Sequence, residues 1–210
     1  MAGPAACVAL SHVPGAAAEA VGRLVARRLG YAFFDREIVE AIAHDSGTQR
    51  RMVAALDEHV RGVIDRYLLD AFRGRGFAED DYLKGVLRVV GLLGQRGRAV
   101  VLGRGAAAIL TPRQALRVLV VAPREVRIDR LAREGGLDRD AAAERLDRQE
   151  ADRAEFLRHH FGVRQEDPTR YELVVNTGSL SLELAAELVV EGLRGQFPEA
   201  AQGREGRGAG

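Results

Sequence analysis

Cysteine and lysine are nearly absent from this 210-residue chain, which has one of each, Cys7 and Lys84, and tryptophan is missing altogether. A single cysteine excludes an internal disulfide and suits a reducing cytoplasm. Cys7 lies in an apolar run, where a thiol behaves as a small buried hydrophobe rather than a nucleophile. Thirty arginines stand against the one lysine, a bias that reads as genomic base composition. An excess of charge of either sign is lacking too: 31 basic and 30 acidic residues leave a formal net charge of +1. That balance gives no general attraction to nucleic acid or to an anionic membrane. Long hydrophobic runs are also missing, none approaching the ~20 apolar residues of a membrane span. The Ala-rich first twenty residues have no Lys or Arg before Arg23, and His12 and Pro14 interrupt their apolar stretch. They do not read as a signal peptide. The expectation is a cytoplasmic protein with neither membrane nor nucleic acid as partner.

What is present is an alternation of strands and helices. The length fits one domain, placed here at residues 1–200, with a helical insertion at about 49–96. The Gly- and charge-rich tail, 201–210, reads as disordered. Cys7 to Ser11 is a short apolar strand. Helical spacing starts at Ala16, carries Val21, Leu24, Val25 and Leu29, and stops at Gly30. Tyr31 to Phe34 is a second strand, and Asp35 caps a helix bearing Ile38, Val39 and Ile42. From about Gln49 to Arg96 the pattern stays helical, with a break marked by Gly74, Gly76 and Asp80-Asp81. Ala99 to Leu102 and Arg117 to Val121 are compact β-branched runs, the signature of buried parallel strands. Leu173 to Val175 adds another, and Leu180 to Leu193 is a closing helix. The fold class is therefore α/β, a parallel sheet flanked by helices.

The first strand runs into Ser11-His12-Val13-Pro14-Gly15-Ala16-Ala17-Ala18-Glu19 and then a helix. Strand, small-residue loop and helix form a layout that cradles phosphates, with loop amides and the positive helix N-terminus facing the anion. A working loop of this kind uses glycines for close backbone approach and a Lys or Arg for neutralisation. Here Ala17 and Ala18 take the glycine places and Glu19 the cationic one. Arg23 lies one turn after Glu19, either reaching back toward a phosphate or pairing with Glu19 at i,i+4.

Beyond the loop, short motifs recur in a fixed order. They are Leu29-Gly30-Tyr31, Phe34-Asp35-Arg36-Glu37-Ile38, Gly103-Arg104-Gly105-Ala106, and Val118 to Ala122 followed by Pro123-Arg124-Glu125-Val126-Arg127-Ile128. Arg153-Ala154-Glu155-Phe156, Phe161-Gly162, Tyr171-Glu172-Leu173, Asn176-Thr177 and Leu180-Ser181-Leu182-Glu183 complete the set. From Val8 to about Leu193 the chain resembles the cytidylate kinase-like family of bacterial nucleoside monophosphate kinases. The resemblance implies a five-stranded parallel sheet, a helical lid at about 138–162, and transfer of a phosphoryl group from ATP, with Mg²⁺, to CMP or dCMP. It places the donor phosphates on the loop Gly15, Ala16, Ala17 and Ala18. Asp35, Arg36 and Arg104 fall at the acceptor nucleotide, and Arg148 and Arg153 on a lid closing over the reacting group.

Each assignment has an alternative in ordinary structure. Asp35 is a good helix N-cap, and the lid arginines lie among Asp and Glu as in a solvated, ion-paired helix. Arg104 follows an apolar strand, at the sheet end where open α/β folds bind ligands. His159-His160 face different ways on a helix, and no metal site is read from them. The departures sit in the loop, at Glu150 in place of the usual lid Asp, and at Ala107 in place of the usual Asn. Methyl groups at positions 17 and 18 disfavour φ > 0. A carboxylate at 19 repels a triphosphate, by ~4 kcal/mol for unit charges 4 Å apart at an effective dielectric of ~20. Three readings result: a nucleotide kinase with impaired donor handling, a pseudokinase binding a nucleotide or protein partner without turnover, and a homo-oligomerising domain built on the middle helices.

Overall fold

The computed structural model describes residues 6–44 and 81–198. The middle helices expected at 49–80 and the tail at 201–210 lie outside the described residues. Five strands, β1 (Cys7–His12), β2 (Ala32–Phe34), β3 (Ala99–Leu102), β4 (Ala115–Val121) and β5 (Leu173–Asn176), form one parallel sheet in the order β2-β3-β1-β4-β5. The helices are α1 (Ala18–Leu29), α2 (Arg36–His44), α3 (Asp81–Arg96), α4 (Ala106–Ile109), α5 (Arg124–Gly135), α6 (Arg139–Phe161) and α7 (Leu182–Gln196).

β1 sits between β3 and β4, with Val8 opposite Val100 on one side and Leu116 on the other. Side chains alternate across a strand, so its residues feed two separate layers. Cys7 and Ala9 join Val101, α3, α4 and the end of α6 on one face. Val8 and Leu10 join Val100, Val118, α1 and α7 on the other. Sheet residues buried on both faces must be apolar throughout, which explains the unbroken β-branched runs. Each fully buried Val or Leu contributes roughly 1.5–3 kcal/mol, so this core anchors the loops at the strand ends. Cys7 is fully buried, donates to the Leu93 carbonyl at 3.1 Å, and has its thiol pushed up to about 11 by that burial.

Helix ends follow their local chemistry. Gly30 takes a left-handed φ of 65° and donates back to Ala26 and Arg27, ending α1. Asp138 accepts from the Ala141 amide at 2.8 Å, opening the 23-residue α6. α6 packs near its start on α5, through Leu146 and Ala142 against Ile128 and Leu131. Near its end, Leu157 and Phe161 enter the main core beside Ala106 and Ala107. It therefore spans two neighbourhoods of the protein. Among the described residues, no helix is long and apolar enough to cross a membrane.

Candidate functional site

The loop between β1 and α1 is held from behind. Three consecutive carbonyls turn inward: Pro14 accepts from Arg127 at 3.4 Å, Gly15 from Arg130 at 3.4 Å, and Ala16 from the Thr177 hydroxyl at 2.8 Å. Arg127 and Arg130 are three apart on α5, so they share a face. Gly15 has φ 75°, and a Cβ there would lie 2.9 Å from Cβ of Arg127. Only glycine lets α5 come this close. Ala17 is also left-handed, at φ 55° and ψ 31°, and gives α1 no side-chain cap. The first turn of a helix leaves its amides without backbone partners. Val21 is the first residue of α1 to donate to a helix carbonyl, that of Ala17 at 3.2 Å. The open helix start, with the loop carbonyls turned the other way, has the geometry of an anion cradle.

The carboxylate at position 19 is not idle. Glu19 pairs with Arg23 at 2.8 Å, and Arg23 also reaches Asp35 at 3.4 Å and lies 4.6 Å over the Phe33 ring. Arg23 thus serves Glu19 and the β2 end, the i,i+4 alternative of the sequence, and is not set over the loop.

A second group gathers at the ends of β2 and β3. Asp35 follows β2 and caps α2 by accepting from Ile38 at 3.0 Å. Glu40, one turn on, takes Arg36 at 3.0 Å and Arg104 at 2.9 Å. Arg104 has φ 48° between Gly103 and Gly105, both left-handed too. A Cβ on Gly105 would strike the Phe161 ring, so the tight turn is set by packing against α6. The Arg104 guanidinium lies 5.0 Å above the Phe156 ring of the same helix.

From α6, Arg153 enters the space between these groups. It bonds Gln165, and lies 3.4 Å from the Ser11 hydroxyl and 3.5 Å from His12 Nε2. Gln165 in turn donates to the His12 carbonyl at 2.7 Å. Burial lowers Arg153 to about 10, opposed by Tyr171 and assisted by the nearby Arg104 and Arg36. Burial, then the Arg153 charge, pushes His12 down to about 3, against a smaller rise from the Val13 carbonyl. Ser11, Gly103, Gly105, Arg170 and Tyr171 line a small cavity beside Arg153.

The structure thus brings Ser11, Arg153 and the Gly103–Gly105 turn together, and puts Asp35, Arg36 and Arg104 at the ends of neighbouring strands. Arg148 it does not bring in: that side chain is 69% exposed and pairs with Glu144 at 3.5 Å. Arg127, Thr177 and His12 stand in the motifs and loop quoted from the sequence but were given no site role there, and Arg130 and Gln165 were not singled out. For Arg127 and Arg130 the only signal is their spacing beside the buried Ile128 and Leu131.

The described geometry is that of a loop at an open helix start and an arginine cluster at the C-terminal edge of a parallel sheet, and relatives bear on it. A family model described as the cytidylate kinase-like family matches residues 7–179. The chain belongs to the cytidylate kinase-like family. It is 28% identical over 190 residues to the cytidylate kinase of Aeropyrum pernix, covering 88% of this chain and 97% of that one. An uncharacterized protein from Eubacterium ventriosum shares the fold, with a TM-score of 0.68, 12% identity, and coverage of 89% of this chain and 96% of that one. A 100-residue stretch, 47% of this chain, is 33% identical to 19% of the uronate isomerase of Corynebacterium glutamicum, too little of that enzyme to speak to its activity here.

In a phosphate loop of the G-x-x-x-x-G-K-[ST] form, Mg²⁺ and ATP would be met by a Lys on the phosphates and a following Ser or Thr hydroxyl on the metal. Those two places hold Glu19 and Ala20. Glu19 is already engaged by Arg23, and a methyl group ligates nothing. Among the described residues, no cluster of three or more His, Cys, Asp or Glu side chains could hold a metal ion. The residues present do not fit Mg²⁺ and ATP held in that way.

Proposed function

We propose that this cytidylate kinase-like protein binds a nucleoside monophosphate, CMP or dCMP, through its arginine cluster, without turnover. One observation carries the reading. Arg153 is drawn into the end of the sheet with neutral partners only, Gln165, Ser11 and His12, among the described residues. A partly desolvated guanidinium in that position, beside Arg104 and Arg36, is a site for an incoming phosphate. Asp35, Arg36 and Arg104 supply the acceptor side, and the altered loop accounts for weak donor handling. The middle helices of the assembly reading lie largely outside the described residues.

A slow kinase is the second reading, supported by the three inward loop carbonyls, which keep a phosphate cradle in shape without the usual cation. Calorimetry with CMP and a coupled assay for ADP release separate the two. The expected result is CMP binding that Arg153→Met weakens at least tenfold, about 1.4 kcal/mol, with little ADP formed. Absence of CMP binding would sink both readings. An ordinary rate of CMP phosphorylation would sink the first.

A further inference from the structure

Positive charge at this edge of the sheet is supplied by the protein itself. Arg127 and Arg130 reach the back of the loop at the carbonyls of Pro14 and Gly15, while Arg153 reaches its root at Ser11 and His12. Arg127 is answered by Glu150. Arg130 and Arg153 are held by neutral groups: Thr177 and Gly15 for the first, Gln165, Ser11 and His12 for the second. An anion entering at the end of β1 beside Arg153 meets charge of opposite sign already in place, and the surrounding hydrogen bonds hold it there without reorganisation.

A divalent cation meets the reverse. The place a ligating hydroxyl would take holds the methyl of Ala20, and the carboxylate in the first turn of α1, Glu19, is held by Arg23 at 2.8 Å. Bringing Mg²⁺ beside Arg153 sets like charges against each other in a partly desolvated space. Mg²⁺ bound to a triphosphate also cancels two of the negative charges that the arginines would otherwise attract. Ordinarily the metal neutralises phosphate oxygens that a protein cannot; here guanidinium groups stand on two sides of the loop.

We infer that this site takes its phosphorylated ligand as the metal-free anion, with the protein's own arginines in the place of Mg²⁺. The inference rests on the nucleotide-binding reading above and deepens it. Its test is calorimetric titration of the full chain with ATP and, separately, with CMP, each in chelator and each in excess Mg²⁺. ATP binds in chelator at least as tightly as in Mg²⁺, the CMP isotherm is the same in both, and added salt weakens both ligands. In the double variant Glu19→Lys, Ala20→Ser the order for ATP reverses, because a cation and a metal-ligating hydroxyl are restored. A reproducible gain in ATP affinity from Mg²⁺ in the native chain overturns the inference, and with CMP still bound it leaves the nucleotide-binding reading intact. ATP bound in chelator with no CMP bound sinks the acceptor assignment and sustains the metal-free site. No binding of either nucleotide in any buffer overturns both.

Discussion

Ala17 holds a backbone conformation that alanine disfavours, with φ 55° at the mouth of the loop. A left-handed alanine costs roughly 1–2 kcal/mol, and such strain persists only where the surroundings impose it. Here the impositions are visible: the two carbonyls just before it, of Gly15 and Ala16, are held by α5 and Thr177. Ala17→Gly is therefore expected to stabilise the fold by about 0.5–1 kcal/mol after glycine's own entropy is subtracted, seen as a rise of a few degrees in Tm. An unchanged or lower Tm would show that the strain is not there. Glu19 acts through charge instead. Changing Ala17→Gly, Ala18→Gly and Glu19→Arg together should tighten ATP binding at least tenfold, about 1.4 kcal/mol. Glu19→Arg alone should supply much of that gain, Glu19→Gln less, and salt should shrink it. His12 gives a pH signature. Its folded value of about 3 lies below the ordinary 6.5, so between those values the unfolded chain binds a proton that the native one refuses. Stability is then fully present above about pH 6.5 and falls as the pH drops toward 3, by at most about 1.4 kcal/mol per unit from this group. Denaturant titrations across that range should show a shallower fall for His12→Asn; an identical pH slope would remove His12 from the account.

At the level of elements, α5 and α6 are joined where the loop is held. Arg127 is buried and donates to Ala122 at 2.9 Å, to Pro14, and to Glu150 of α6. Arg127→Ala should cost about 2–4 kcal/mol, because it frees two carbonyls and leaves a carboxylate without its partner. Adding Glu150→Ala should recover part of that loss, and a double-mutant cycle on unfolding free energies reads the coupling directly. Additive effects would mean that the pair is incidental. Little of this was legible in the sequence. Elements themselves were: the strand runs stood out because a strand buried on both faces is apolar at every position, and Asp35 and Gly30 marked helix ends through local hydrogen bonding alone. Arg23's partner was likewise within one helical turn. Arg127, Arg130, Thr177 and Gln165 act on residues more than a hundred positions away, or, for Gln165 on Arg153, across a helix end. Nothing local distinguishes them from other polar residues. Arg148 and Arg153, five apart on a helix, are turned by about 140° from one another. They could not both face the loop from a straight α6.

For the molecule as a whole, the strand order β2-β3-β1-β4-β5 puts the first strand in the middle. Its neighbours are residues 99–102 and 115–121, and the loop it carries is fastened by Thr177. The helix that follows, α1, packs into the same layer as α7, the last described helix. The residues that would cradle a phosphate are thus near the start of the chain, and their support is near its end. A ribosome delivers these parts at opposite ends of synthesis. Pairings so distant along the chain form late, since the intervening segment must first be closed into a loop. For most of its translation, the nascent protein holds the complete sequence of the β1–α1 loop without its folded shape, and chains stopped before Thr177 should leave that segment open to protease while full-length chains protect it.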